Sequence, residues 1–340
     1  MALSSNEKAK CIAVIGAGSW GTALAIHMAK QGNEVRLWGR SEKTMQRMRA
    51  ERCNVRYLPQ VDFPTSLRPS SDLGFVLDDA DEILMVVPSH IFGEVLFAVK
   101  SIKPSCNRLA WAAKGFELGT ARLLHHSVID TLGENAIYGV ISGPTFAREV
   151  ALGMPTAATV ASNDNDYANL WSTLLHGETF RVYTSEDVTG VELGGAIKNV
   201  FAIAAGISDG LGFGANARAA LITRSVAEMM RLGEALGGHR ETFMGLTGVG
   251  DLLMTCTDNQ SRNRRLGIAL GEGKSVDDAL TEIDQVVEGI QSASETHALA
   301  QRMGIEMPIV EEVYAVLNQG RSPHEAVKNL FEREQKPETI

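Results

Sequence analysis

Short apolar runs alternate with helix-spaced runs over roughly the first half of the chain. Between Cys11 and Pro144, brief β-branched runs are separated by segments whose apolar residues recur at the helical period. This alternation is typical of βαβ units and therefore of a parallel sheet. The predicted strands are Cys11–Ile15, Glu34–Trp38, Glu82–Val87, Leu109–Ala113, Ala136–Ile141, Thr156–Ala161 and Phe180–Thr184, with helices at Trp20–Gln31 and near Tyr167–Leu175.

The pattern changes near Glu186. From Asp187 onward, alternation nearly disappears and helical spacing dominates, so we predict a second, helical domain. Ser275 and Ser322 each precede a further helix start, as capping residues do. The other predicted helices are Val191–Ile207, Ala217–Leu236, Arg262–Leu270, Ile290–Met303 and Val310–Leu317. We place the sheet domain at 1–187 and the all-α domain at 188–340.

Composition agrees with a soluble two-domain chain. It has 340 residues, 44% of them hydrophobic, and 32 Lys and Arg against 41 Asp and Glu give a formal charge of −9. A negative balance argues against nucleic acid or an anionic membrane as a partner, because both favour positive surface. No stretch approaches the roughly 20 apolar residues of a membrane span, and Cys11–Ile15 is too short for a secretion signal. We therefore predict a cytoplasmic protein without membrane insertion.

Cysteines and histidines are not grouped in the sequence as metal ligands. The four cysteines are scattered and form no CxxC pair, and the histidines show neither HxxxH nor HExxH spacing. A serine triad is not indicated either, because no GxSxG motif stands at a predicted strand-to-helix turn. The sequence therefore predicts no metal site.

A glycine-rich motif ends the first predicted strand and opens the first predicted helix. The motif Gly16-Ala17-Gly18-Ser19-Trp20-Gly21 has the GxGxxG spacing of dinucleotide-binding loops. Gly16 permits a tight turn, Gly18 allows a pyrophosphate to approach, and Gly21 lets helix and strand pack closely. The helix N-terminus adds free N–H groups for that pyrophosphate. We predict a dinucleotide site at this loop.

Arg40 follows the second predicted strand, where NAD-specific sites place an acidic residue. A guanidinium binds a ribose 2′-phosphate, whereas a carboxylate repels it, so NADP(H) is predicted to be accepted. Glu42 lies close enough in sequence to keep NAD(H) use open. The alternative is that Arg40 is an exposed loop cation.

Further polar residues follow later strands of the predicted sheet. Lys114 ends an apolar run, and Gly143 and Thr145 offer N–H and hydroxyl donors after the next strand. Because the carboxyl ends of parallel strands share one edge, these residues are expected at one ligand-binding rim. The alternative is that Gly143-Pro144 is only a turn.

Lys198 is the residue to which we assign the chemistry. Small residues lie one turn away on its predicted helix, namely Gly194, Gly195 and Ala202, and they are expected to leave a hollow beside the lysine. A partly dehydrated ammonium has a lowered pKa, which suits proton transfer. The alternative is a lysine that extends into water.

A basic cluster marks the start of a later predicted helix. In Ser261–Arg265, three arginines accompany a serine and an asparagine, a composition that suits a phosphate. Asp251 follows a glycine-rich turn and is expected either to hydrogen-bond a substrate hydroxyl or to fix the lysine. The competing interpretation of the cluster is a solvated basic helix end.

Together these segments resemble the bacterial-type NAD(P)-dependent glycerol-3-phosphate dehydrogenases. The matching motifs cover nearly the whole chain in order: Gly16–Leu24, Ala113–Glu117, Ser142–Ala147, Gly195–Val200, Asp209–Leu211, Leu246–Arg265 and Val286–Gly289. The resemblance implies an α/β fold, with an N-terminal Rossmann-type doubly wound sheet followed by an all-α C-terminal domain, often as a homodimer. It implies reversible hydride transfer from NADPH or NADH to dihydroxyacetone phosphate, giving sn-glycerol 3-phosphate for glycerophospholipid biosynthesis.

The resemblance also implies roles for individual residues. Lys198 is similar to the proton donor and acceptor at the substrate oxygen. Residues that resemble substrate contacts are Lys114, Gly143, Thr145, Lys198, Asp251, Ser261, Arg262 and Asn263. Residues that resemble cofactor contacts, besides Gly16, Gly18 and Gly21, are Ser19, Trp20, Arg40, Lys114, Ala147, Arg262, Val286 and Glu288.

Two positions depart from the family pattern. Thr145 stands where serine is more frequent, which keeps the hydroxyl, and Gly93 stands where an arginine is expected. Two other functions stay open at this point. One is a two-domain NAD(P)-dependent dehydrogenase of a hydroxy acid or sugar acid, and the other is a non-enzymatic NADPH sensor.

Overall fold

The computed structural model describes residues 9–334, so the ends of both predicted domains, 1–8 and 335–340, lie outside the described residues. The strands are β1 (Cys11–Ile15), β2 (Glu34–Trp38), β3 (Cys53–Asn54), β4 (Leu58–Asp62), β5 (Leu67–Ser70), β6 (Glu82–Met85), β7 (Arg108–Trp111), β8 (Ile137–Ser142), β9 (Thr156–Ser162) and β10 (Phe180–Ser185). The helices up to the middle of the chain are α1 (Ser19–Lys30), α2 (Glu42–Glu51), α3 (Leu73–Leu77), α4 (Phe92–Ile102), α5 (Leu124–Leu132), α6 (Ala147–Leu152) and α7 (Asn165–Leu175). The later helices are α8 (Val188–Gly210), α9 (Ala215–Ala235), α10 (Arg240–Phe243), α11 (Asp251–Thr257), α12 (Arg262–Gly271), α13 (Val276–Ile283), α14 (Glu288–Met303), α15 (Pro308–Asn318) and α16 (Pro323–Phe331).

Within residues 9–334, eight strands form one parallel-dominated sheet in the order β10-β9-β8-β7-β6-β1-β2-β5. The chain runs from β1 outward through β2 to β5, then returns to the other side of β1 and continues from β6 to β10. Cys11 of β1 lies opposite Glu34 of β2, and Ile12 lies opposite Glu82 of β6. The reversal of direction makes the sheet doubly wound, and ligands of such sheets bind beyond the strand ends at that point. The predicted fold class is confirmed.

The predicted strand bounds agree with the structure to different degrees. The bounds of β1 and β2 match the prediction, whereas β6 ends at Met85 and not at Val87, and the carbonyl group of Val86 lies against Gly16. The edge strand β5 was not predicted, since it has four residues and contains Pro69, which cannot donate to a ladder. The antiparallel pair of β3 and β4 was also missed.

Two helix starts are set by side-chain caps that the sequence indicates. Ser275 accepts the Asp278 N–H at the start of α13, and Ser322 forms a capping box with Glu325 at the start of α16. Both predicted helix starts are therefore confirmed. At the end of α1, Gly32 has a φ of +93° and lies one residue beyond the Gln31 cap, where a left-handed backbone favours glycine.

The chain separates into two compact units. The first comprises the chain up to Ala113 with His125–Ile141 and Thr145–Glu186, and the second comprises Lys114–Leu124, Ser142–Pro144 and the chain from Asp187 onward. The two short segments thus group with the helical unit, although the division at residue 187 assigns them to the sheet domain. That division stays a prediction.

The second unit is built around α8. Buried residues occupy all faces of this helix between Val188 and Ser208. The prediction that no stretch approaches the apolar length of a membrane span is wrong for α8, the one helix among residues 9–334 that is long and apolar enough, and its apolar window is wholly buried in the protein. A helix enclosed in this way is the core element of its unit.

Helices α8 and α12 meet along a line of glycines, which we call the glycine seam: Gly206 and Gly210 of α8 and Gly267 and Gly271 of α12. A Cβ on Gly206 would lie well inside 3.0 Å of the Arg264 carbonyl oxygen, and a Cβ on Gly267 equally close to the Ile203 carbonyl oxygen. Real Cβ atoms essentially never approach other atoms so closely. The backbones of the two helices therefore touch directly, as small residues spaced four apart allow.

Candidate active site

The glycine-rich loop after β1 is shaped by close backbone contacts within the first unit. Gly16 has a φ of +125°, and a Cβ there would lie 2.5 Å from the Val86 carbonyl oxygen, so a larger residue cannot occupy this turn. A Cβ on Gly21 would collide with the Gly16 carbonyl oxygen. By contrast, no atom of residues 9–334 lies within 4 Å of a Cβ built on Gly18. The loop leaves open space at the glycine where a pyrophosphate is expected to approach.

The N-terminus of α1 has polar groups available for a dinucleotide. Gly18 caps the helix without a side-chain hydrogen bond, so the first N–H groups, beginning at Ser19, receive no side-chain acceptor. The indole Nε1 of Trp20 is buried and makes no hydrogen bond among the described residues. A buried donor without an acceptor is costly, and a bound polar ligand removes that cost. These groups fit a dinucleotide phosphate.

Arg40 is exposed just beyond β2, next to this loop. A Cβ on the adjacent Gly39 would lie 3.0 Å from the Ala17 Cβ, so the end of β2 packs against the glycine-rich turn. Glu42 is engaged elsewhere, since it bonds the Ser71 hydroxyl and pairs with Arg49 at 2.8 Å. The Arg40 guanidinium is therefore available to a ribose 2′-phosphate, whereas the Glu42 carboxylate is already bonded within the protein.

Lys198 lies in the middle of α8 and is buried, with 6% of its surface exposed. Its Nζ donates to Asp251 Oδ1 at 2.5 Å and to the Thr255 hydroxyl at 3.1 Å. Burial lowers the pKa of Lys198 to about 8, while the Asp251 charge opposes this shift. The ammonium group therefore gives up its proton far more readily than an exposed lysine.

Asp251 joins two lysines. Its carboxylate has no exposed surface, and the second oxygen, Oδ2, accepts a hydrogen bond from Lys114 Nζ at 2.7 Å. Lys114 also donates to the Gly143 carbonyl oxygen at 3.1 Å. Both carboxylate oxygens are thus bonded to lysines, which favours the expectation that Asp251 fixes the lysine over a hydrogen bond to substrate. We call Lys114, Lys198 and Asp251 the lysine–aspartate cluster.

The expected hollow beside Lys198 is filled by protein, so that prediction is wrong. A Cβ on Gly194 would lie 2.7 Å from the Thr247 carbonyl oxygen, and one on Gly195 would lie 2.8 Å from the Ser142 hydroxyl. The glycines therefore let the Thr247 turn and the end of β8 approach α8. This close approach brings Asp251 to Lys198, because Asp251 follows the Thr247 turn by four residues.

The N-terminal turn of α12 contains the predicted phosphate residues. The Ser261 hydroxyl caps the helix by accepting the Arg264 N–H at 3.2 Å, and Asn263 Oδ1 accepts the Gly289 N–H at 2.9 Å. Arg262 is half-buried at the first helical position. The Asn263 bond also places the start of α14, with Glu288 and the exposed Val286, beside this turn.

Arg264 does not belong to the phosphate receptor, contrary to the grouping of three arginines. It is buried, pairs with Asp209 at 2.5 Å, donates to the Cys256 carbonyl oxygen at 3.0 Å and bonds Asn259. The sequence does not reveal this pairing, because Asp209 lies 55 positions away from Arg264 along the chain. Its role in the structure is to hold the segment before α12.

The predicted site residues divide between the two units. Thr145 and Ala147 belong to the first unit, together with the glycine-rich loop and Arg40. The second unit brings together Lys198, Asp251, Lys114 and Gly143. Thr255 was missed, because a hydroxyl on a helix carries no distinctive spacing in sequence. Among residues 9–334, no group of three or more His, Cys, Asp and Glu side chains is placed to hold a metal ion.

Comparison with known proteins gives a consistent family. The protein-family model described as "NAD-dependent glycerol-3-phosphate dehydrogenase N-terminus" matches residues 11–168, and the family model for the corresponding C-terminus matches residues 187–328. A "Glycerol-3-phosphate dehydrogenase [NAD(P)+]" of Tolumonas auensis is 52% identical over 333 residues, covering 98% of this chain and 100% of that protein. Another with the same name, from Thioalkalivibrio sulfidiphilus, is 55% identical over 327 residues, covering 96% and 98%. The crystal structure of glycerol-3-phosphate dehydrogenase from Coxiella burnetii has a TM-score of 0.93 at 48% identity, covering 96% of this chain and 99% of that one.

The hydrogen bond between Asp251 and Lys198 leads to a prediction about the pKa of Lys198. Replacing Asp251→Asn removes the negative charge that favours the ammonium form, so the Lys198 pKa is expected to fall further below about 8. Carbon-13 NMR of protein labelled at the lysine Cε measures this titration, and Lys198→Arg assigns the signal. Thr255→Ser retains the hydroxyl and serves as the control. A Lys198 pKa that is unchanged or raised in Asp251→Asn contradicts the assignment.

Proposed function

The chain belongs to the NAD-dependent glycerol-3-phosphate dehydrogenase family, and we propose that it reduces dihydroxyacetone phosphate to sn-glycerol 3-phosphate, reversibly, with NADPH or NADH. The observation that carries this proposal is the buried lysine–aspartate cluster, in a chain that matches its relatives over nearly its full length. The product serves glycerophospholipid biosynthesis. The names of the relatives favour this function over a hydroxy-acid or sugar-acid dehydrogenase and over an NADPH sensor.

The first unit would hold the dinucleotide. The glycine-rich loop and the α1 N-terminus receive the pyrophosphate, with Ser19 and Trp20 in the first turn of the helix and Arg40 at the ribose. Ala147, at the start of α6, is assigned to the same ligand. When bound, the reduced nicotinamide supplies a hydride.

Lys198 holds and moves the proton. Hydride arrival at the C2 carbonyl carbon builds negative charge on the carbonyl oxygen, which a nearby ammonium stabilises and then protonates. In the reverse direction the neutral amine accepts the hydroxyl proton. A pKa of about 8 keeps both forms accessible near neutral pH, so one lysine serves both directions.

Asp251 and Lys114 orient this proton donor. The carboxylate holds Lys198 Nζ at 2.5 Å and Lys114 Nζ at 2.7 Å, so both ammonium groups have fixed positions before substrate arrives. Such preorganisation saves the cost of aligning charges during reaction. Lys114, with Gly143 and Thr145, is assigned to substrate, and Lys114 also to the cofactor.

The first turn of α12 is assigned to the phosphate. Arg262 contributes a guanidinium and Asn263 an amide, while Ser261 caps the helix whose N-terminus carries a partial positive charge. Arg262, together with Val286 and Glu288, is also assigned to the cofactor. Binding energy from the phosphate, remote from the reacting carbon, lowers the barrier by holding C2 in place.

Three further properties are part of the proposal. We place the domain division at residue 187, the protein in the cytoplasm, and the active form as a homodimer without membrane insertion. The enclosure of α8 in the protein core supports a soluble molecule.

Replacing Lys198→Ala removes the proton donor. Turnover is expected to fall on the order of 10²- to 10⁴-fold, while NADPH affinity, measured by fluorescence titration, stays near that of the wild type. Lys274→Ala serves as the control, since this lysine is exposed and pairs with Glu282 at 2.7 Å. Near wild-type turnover in Lys198→Ala would remove the residue from the mechanism.

Replacing Arg40→Ala tests the cofactor assignment. The change removes a partner of the 2′-phosphate, so NADPH binding is expected to weaken on the order of tenfold or more, and NADH binding much less. The two dissociation constants are measured in parallel, with Lys43→Ala as a neighbouring exposed cation for control. An equal loss for both cofactors contradicts a specific contact with the 2′-phosphate.

A further inference from the structure

Helix α8 carries Lys198 in its middle and touches α12 near its end. Gly206 lies eight residues after Lys198, about 12 Å along the helix axis. The Arg264 carbonyl oxygen rests on Gly206, and Arg264 is the third residue of α12. The turn assigned to the phosphate therefore lies against the same rigid helix that carries the proton donor.

A second series of contacts joins this turn to the neighbourhood of Lys198. Asn263 Oδ1 accepts the Gly289 N–H at 2.9 Å. A Cβ on Gly289 would lie 3.0 Å from the carbonyl oxygen of Asn199, the residue after Lys198. One side-chain hydrogen bond and one backbone contact thus connect the phosphate-binding turn to the residue after Lys198.

An ion pair locks α12 to α8 at the glycine seam. Asp209, in the last turn of α8, pairs with Arg264 at 2.5 Å and with Arg218 at 2.8 Å. A carboxylate at a helix C-terminus opposes the helix dipole, so this residue is unfavourable without its two arginines. Arg264 in turn bonds Cys256 and Asn259, which fixes the segment that leads into α12. The pair therefore joins the last turn of α8 to the first turn of α12 through two buried side chains.

We propose that the glycine seam, locked by Asp209 and Arg264, sets the distance between Lys198 and the phosphate-binding turn of α12. The seam thereby selects a ketone with one carbon between the carbonyl and the phosphate ester oxygen. Arg264 and the seam glycines are specificity-determining positioning residues that do not touch substrate. This inference rests on the proposed reduction of dihydroxyacetone phosphate.

The test widens the glycine seam and measures how strongly the enzyme prefers the shorter of two substrates. In Gly206→Ala, the added methyl group pushes the start of α12 away from α8. The substrates are dihydroxyacetone phosphate and 1-hydroxybutan-2-one 4-phosphate, which has one more methylene between carbonyl and phosphate. We expect kcat/KM for the shorter ketone to fall on the order of ten- to a hundredfold, since a displacement of about 1 Å has effects of this size. The preference for the shorter over the longer ketone is expected to fall in parallel.

A second variant covers the case in which Gly206→Ala does not fold. Arg264→Gln removes the lock without adding an atom at the seam and is expected to shift the length preference in the same direction. The pH at which kcat changes should stay that of the wild type, because the lysine–aspartate cluster is untouched. Arg321→Gln is the matched control. It breaks an ion pair elsewhere in the same unit, in which Arg321 lies 2.7 Å from Glu312. Gly93→Ala controls for alanine in a helix, since no described atom lies within 4 Å of a Cβ built on Gly93.

Each outcome distinguishes the seam from the function on which it rests. A wild-type protein inactive with both phosphorylated ketones overturns the proposed function and the seam with it. An active wild type whose variants lose activity on both ketones equally, with unchanged length preference, overturns the seam alone and leaves it a packing feature. A lowered preference for the shorter ketone in either variant, absent in Arg321→Gln and Gly93→Ala, supports the proposal.

Discussion

A carboxylate without exposed surface has to be paired, and the arrangement around Asp251 follows from this constraint. An unpaired charge at that depth costs several kcal/mol, on the order of what a whole domain has to spare. Asp251 is paired twice, with Lys198 of α8 and with Lys114, which follows β7. The two ammonium groups are therefore fixed by the requirements of burial, and the same fixed positions serve proton transfer.

Glycine makes these approaches possible. In α8, Gly194 and Gly195 admit the Thr247 turn and the end of β8, and further along Gly206 and Gly210 admit α12. Glycine inside a helix costs about 1 kcal/mol relative to alanine, so each position carries an intrinsic penalty. The close backbone contacts offset that penalty and give the helix fixed neighbours on several sides. A helix that looks weak by propensity is consequently the most enclosed element of its unit.

Much of the fold is predictable from the chain because it depends on local signals. The apolar run of β1, the alternating pattern of β2, the GxGxxG spacing and the serine caps of α13 and α16 each act within a few residues. The strand β5 was hidden, since a four-residue edge strand with Pro69 has no such signal. The change from alternating to helical spacing near residue 186 is equally local. By contrast, the grouping of Lys114–Leu124 with the later helices depends on tertiary contacts.

The candidate site was predictable in its residues more than in its geometry. Lys198 and Asp251 were both singled out, but their contact spans 53 positions, and the sequence left two roles open for Asp251. Arg264 looked like a phosphate ligand because no sequence pattern reveals Asp209 as its partner.

The most direct measurement of the account follows absorbance of the reduced nicotinamide while ketone is added to the protein, with NADPH and NADH in parallel. The account predicts loss of absorbance with dihydroxyacetone phosphate and none with dihydroxyacetone. Equal loss with both ketones, or no loss from folded protein with either cofactor, would contradict it.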